Sequence, residues 1–95
     1  MTKYEVMFII NPTLDDETKD ATVETVKEII AADGEVGEVD VWGMRKLCYP
    51  IQKLGEGYYV VVEFEGNPTL PKELDRRLRI SDNVIRHIIV AKDEK

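Results

Sequence analysis

Apolar and polar residues alternate from Lys3 to Ile10. Tyr4, Val6, Phe8 and Ile10 share one face, and Glu5, Met7 and Ile9 the other, as in a strand. Asn11-Pro12 breaks the run. The period then changes. Val23, Val26, Ile29 and Ile30 recur at helical spacing, behind Asp15 as an N-cap and the first-turn acids Asp16 and Glu17. Gly34 is a suitable C-terminal stop, so the first helix is expected over residues 16–32. A second strand is expected from Val36 to Ile51, bent near Gly43. Residues 53–57, with two glycines, predict a turn, and Tyr58 to Glu65 returns as its hairpin partner. Thr69 is expected to cap a second helix with Pro71 in its first turn. Leu70, Leu74 and Leu78 are its buried stripe. Ser81-Asp82-Asn83 is a turn, and Val84 to Ala91 a last strand.

The order β-α-β-β-α-β predicts an α+β fold of ferredoxin-like type. Two interleaved right-handed crossovers give a four-stranded antiparallel sheet with both helices on one face. Strand one then neighbours strands three and four, and strand two is an edge. The other sheet face stays uncovered. Strict alternation would place Trp42, Met44, Lys46 and Cys48 on it, with Met7, Ile9, Tyr59, Val61, Arg86 and Ile88. A bulge at Gly43 would flip part of strand two. An open apolar sheet of this kind marks an interaction surface. The expected core includes Val6, Phe8, Val26, Ile30, Val60, Val62, Leu74, Leu78 and Ile89.

Ninety-five residues without a linker or repeat predict a single domain over 1–95. Charge changes the picture. The net charge is −6, yet residues 1–40 carry a local −8 and residues 41–92 a local +3. Trp42 to Ile51 is basic and apolar within an otherwise acidic chain. One surface can therefore meet a polyanion even though the whole surface cannot. No apolar run approaches the ~20 residues of a membrane span. Glu5 stands where a signal peptide would begin its apolar core, which argues against secretion. The lone Cys48 fits a reducing cytosol.

Catalytic chemistry finds little support. His87, the single histidine, lies within a strand and is expected to be structural. Cys48 has no activating partner and is expected to be a small apolar filler. One Cys and one His do not make a metal site, and no cofactor or small-molecule substrate is expected. Acylphosphatases share the element order, but Asn11-Pro12 replaces their phosphate loop. RNA recognition motifs share it too, and Met7 to Asn11 and Gly57 to Phe64 partly match their strand motifs. Glu56 replaces the basic residue before the glycine, and Phe8 falls on the core side. The remaining basic set is Arg45, Lys46, Lys53, Arg76, Arg77, Arg79, Arg86 and Lys92. Arg76, Arg77 and Arg79 also suit the solvated C-terminal end of a helix. Arg45, Lys46 and Arg86 are harder to dismiss because they lie within strands.

Four segments together resemble the bacterial small-subunit ribosomal protein S6 family. They are Lys3 to Pro12, Trp42 to Ile51, Gly57-Tyr58-Tyr59 and Leu78 to Val90, in order over essentially the whole chain. The resemblance implies a ferredoxin-like fold, no catalysis and a cytoplasmic, ribosomal location. It implies binding to small-subunit rRNA in the central domain, or platform, as a heterodimer with ribosomal protein S18. The family's strand-two basic pair falls on Arg45 and Lys46, and its strand-four arginine on Arg86. Met44 stands where many members carry another base. The expected RNA-binding set is Arg45, Lys46, Lys53, Arg79, Arg86 and Lys92. The expected partner-binding set is Trp42, Met44 and Tyr59.

Overall fold

The computed structural model describes residues 2–51 and 54–92. Its elements are β1 (Thr2–Ile10), α1 (Asp16–Asp33), β2 (Gly34–Ile51), β3 (Leu54–Gly66), α2 (Thr69–Arg79) and β4 (Val84–Ala91). The strands form one sheet in the order β2-β3-β1-β4, and each neighbouring pair is antiparallel. This is the expected ferredoxin-like arrangement, with β2 and β4 as outer strands.

Burial follows the alternation. Val6, Phe8, Ile10, Val60, Val62 and Phe64 point to the helix side and are buried. They meet Val23, Val26 and Ile30 of α1, and Leu70, Leu74 and Leu78 of α2, in one core. Of the expected core only Ile89 is not fully buried. It packs against the core from β4, an outer strand. Lys19 is an unexpected member of the buried set at 8% exposed. Its stem lies in the α1 stripe while its ammonium sits 5.0 Å over the Tyr58 ring, so an apolar stem and a cation–π contact replace full hydration.

Local chemistry sets the boundaries. Asp15 caps α1, its carboxylate accepting from the Thr18 N–H at 2.9 Å. Gly34 does end α1, but in an extended conformation and not in the left-handed one. Its role is close approach: a Cβ there would lie 2.1 Å from the Glu65 carbonyl oxygen. Thr69 is not the cap of α2. Leu70 N–H donates to Asn67 O at 2.9 Å, and Pro68 already has helical angles, so the chain turns one residue early and no side chain caps it. The expected turn over residues 53–57 is also corrected. Leu54 already pairs with Ile51, and Glu56 and Gly57 pair with Lys46 and Arg45, so the two glycines lie within β3.

The largest correction concerns the faces of β2. Its register against β3 shifts between Val36 and Val39 and again between Val41 and Gly43. Each shift inserts one extra residue, and each falls on a glycine, Gly37 or Gly43. Gly43 has φ +82°, a backbone that side-chain-bearing residues rarely adopt. After the second bulge Met44 pairs with Tyr58 and Lys46 with Glu56, on the helix side of the sheet. Arg45 pairs with Gly57, on the open side. Met44 and Lys46 therefore leave the open face, and Arg45 joins it. Trp42 stays there, stacked on Tyr59.

Candidate nucleic-acid and partner interface

At one end of the sheet β1 ends, β4 begins, and β2 runs into β3. The turn before β4 is firmly held there. Asn83 accepts from the Asn11 N–H at 2.8 Å, and its side-chain amide donates to Thr22 Oγ1 at 3.0 Å. Thr22 in turn donates to the Thr18 carbonyl at 2.8 Å. The sequence identified Ser81-Asp82-Asn83 only as a turn. The structure makes it the clamp that fixes the start of β4, and with it Arg86.

A row of paired residues crosses the open face at this end: Gly43, Tyr59, Ile9 and Arg86. The next row is Asp40, Val61, Met7 and Ile88. Trp42 and Tyr59 stack with ring centroids 6.1 Å apart and planes 10° apart. Ile9 and Val61 are buried although no helix covers this side, so neighbouring side chains of the sheet itself shield them. Trp42, Ile88 and Val90 remain substantially exposed. Arg45 lies two positions beyond the first row on β2, and Arg86 lies within it on β4. Three strand spacings separate those strands, roughly 14 Å. Two arginines thus flank an aromatic and apolar floor. Farther along the same face stand Glu5 and Glu63, paired with each other across β1 and β3.

The other candidates are distributed differently. Lys46 is exposed on the opposite side, across from Glu56. Met44 is exposed on that side too, away from Trp42 and Tyr59. Arg79 closes α2 and lines a shallow groove of about 270 Å³ together with Arg86, Leu78 and His87. It donates to Asp75 at 2.6 Å. Arg76 and Arg77 both bond Glu73, at 2.7 and 2.9 Å. These helix arginines are therefore engaged with acids of their own helix. Lys92 lies at the far end of the sheet, where its Nζ is 3.1 Å from Glu63 and its N–H donates to the Lys3 carbonyl. Lys53 lies outside the described residues, as does the side chain of Cys48.

His87 takes the structural role expected of it. Its side chain is 14% exposed, faces α2 and is hydrogen-bonded through Nε2 to Asp75. The His87 hydrogen bond, and then the Arg79 charge, hold the Asp75 carboxyl below the usual carboxylate range. Asp15 and Glu73 are lowered as well, by bonds to Thr18 and to Arg76 and Arg77. A carboxylate with a depressed folded pKa stabilises the fold above its unfolded value, about 3.9 for Asp. That stabilisation is lost as pH falls through the folded value. Asp75→Asn should therefore flatten the acid limb of stability below about pH 4. Urea midpoints measured across that range check this, and an unchanged slope would remove Asp75 from the acid response.

Among the described residues no group of three or more His, Cys, Asp or Glu side chains could hold a metal ion. No described helix is long and apolar enough to cross a membrane.

The family model of ribosomal protein S6 matches residues 3–91. The chain belongs to that family. It is 57% identical over 96 residues to small ribosomal subunit protein bS6 of Clostridium kluyveri, with full coverage of both chains. It is 49% identical over 91 residues to the Clostridioides difficile bS6, covering 96% of this chain and 99% of that one. The crystal structure of 30S ribosomal protein S6 from Thermotoga maritima superposes with a TM-score of 0.91 at 35% identity, covering 96% of this chain and 87% of that chain. S6 proteins are structural constituents of the small ribosomal subunit and not enzymes.

Proposed function

We propose that, as a structural constituent of the small ribosomal subunit, this S6 protein binds small-subunit rRNA of the central domain jointly with ribosomal protein S18. The whole chain acts as one domain, in the cytoplasm, without cofactor or substrate. One observation carries the reading. The uncovered sheet face sets Arg45 beyond the stacked Trp42–Tyr59 pair along β2, and Arg86 across the sheet from it on β4. Guanidinium groups suit phosphate because they donate two parallel hydrogen bonds. Aromatic side chains suit a protein partner because they anchor interfaces. Lys46 and Arg79 lie at the same end of the molecule and, with Lys53, extend the phosphate-facing set. Lys92 and Met44 stand apart from it and have subsidiary roles.

The partner is needed on electrostatic grounds. A net charge of −6 opposes approach to a polyanion. Each phosphate contact contributes a salt slope of about 0.7–0.9, so a few contacts give modest affinity. A basic partner on the open face adds contacts and offsets the repulsion. The test is a titration of central-domain rRNA fragments with this protein, with and without S18. Binding should be weak and shallow in salt alone, and tight and steep with S18. Equal affinity in both titrations would overturn the heterodimer and favour a stand-alone RNA-binding module.

A further inference from the structure

The two faces of the Trp42 ring have different surroundings. One lies against Tyr59. The other turns away from β3, and because β2 is an outer strand, no further strand lies beyond it among the described residues. Trp42 is 44% exposed. Its in-plane donor is already used, since Nε1 donates to Asp40 Oδ2 at 3.0 Å. A ligand arriving at this ring gains no hydrogen bond from the indole. It meets a π face, which is electron-rich, and a carboxylate at the rim. Asp40 is itself exposed and sits on the open side, opposite Val61. The bulge at Gly43 completes the layout by placing Asp40, Trp42 and Arg45 on one face, where a regular strand would have turned Arg45 away.

We infer that Asp40 and Trp42 together receive an arginine side chain of the partner protein. The inference rests on the proposed S18 heterodimer and says where a cation of S18 seats. A guanidinium satisfies both groups at once. Its plane stacks on the indole, and its fork donates to the carboxylate. A lysine matches the charge but not the plane. A nucleotide base matches the plane but brings a phosphate close to Asp40, which repels it. The open face is thereby divided. The Asp40–Trp42 rim takes protein, and Arg45, three residues or roughly 10 Å farther along β2, takes phosphate.

The test measures association of the full chain with S18 by calorimetry at low and high salt. Asp40→Asn keeps an acceptor for the indole N–H and removes the charge. Its affinity should fall about tenfold at low salt, and the gap should shrink at high salt. Trp42→Leu keeps apolar area and removes the π face, with a comparable loss. The double variant should lose less than the product of the two, because both groups act on one cation. Glu28→Gln makes the same charge change on the helix layer, where Glu28 is exposed, and should leave association unchanged. If S18 binds the wild type, Asp40→Asn and Trp42→Leu equally well, the inference is overturned and the heterodimer stands. If S18 does not bind the wild type, the proposed function itself fails. If rRNA alone binds Asp40→Asn more tightly and Trp42→Leu more weakly than wild type, the ring is a base platform, which also overturns the inference.

Discussion

Phe8→Ala should cost this protein about 3–5 kcal/mol of folding stability. Phe8 is fully buried at the centre of β1, paired with Val60 on one side and His87 on the other. Ladders to β3 and β4 hold β1 from both sides, so the sheet cannot move inward to fill the space. The opposing surface is built from Val26, Ile30, Leu74 and other residues of two helices, which collapse only by shifting as bodies. Transfer and cavity contributions therefore add. At roughly 0.05–0.15 kcal/mol per residue, the whole fold is stable by about 5–14 kcal/mol. The substitution removes a large share of that. The denaturant midpoint should fall with the slope unchanged. A loss below about 1 kcal/mol would show that the core closes over the gap, contrary to the packing described.

The element order was legible because the apolar period changes from two to 3.6 and back, with Asp15 and Pro71 at the helix starts. The core side of β1 and β3 followed from plain alternation. The faces of β2 did not, because a bulge is a relation between two strands and alternation along one strand cannot show it. Gly37 and Gly43 are the local signal for the two bulges, and the expected bend rests on Gly43 alone. The buried Lys19 was also readable, since Lys19, Thr22, Val26 and Ile30 continue one helical stripe. A charged side chain on that stripe goes unnoticed when only apolar residues are counted.

The candidate site was legible as a list of cations and less so as a place. Sequence spacing does show Glu73 four residues before Arg77, and Asp75 four before Arg79. Those pairs are formed on α2. Which cations share a face depends on register. The bulge exchanges Arg45 for Lys46 on the open side, and the crossover brings Arg86 into the row of Tyr59. The division of charge along the chain is only partly kept in space. The open face carries arginines at one end and Glu5 and Glu63 toward the other.

Reversing both strand-two charges, Arg45→Glu with Lys46→Glu, should weaken rRNA binding by the S18 complex about a hundredfold at ~50 mM salt. Two lost phosphate contacts reduce the salt slope by about 1.4–1.8, and from ~1 M down to ~50 mM that slope amounts to about two decades. The deficit should therefore close as salt rises. The single variants separate face from edge. Arg45 shares the open side with Arg86, whereas Lys46 lies across the sheet, opposite Glu56. If the open face alone meets the RNA, Arg45→Glu and Arg86→Glu should each lower the slope by about 0.7–0.9, Lys46→Glu should lower it by less, and the double variant should fall short of the hundredfold loss. Both exposed β2 positions lie outside the packed core, so these changes should leave the denaturant midpoint near wild type and the binding loss attributable to contact. Equal losses from Arg45→Glu and Lys46→Glu would mean that the RNA grips the β2 edge from both sides. An unchanged slope in the double variant would remove β2 from the RNA contact altogether.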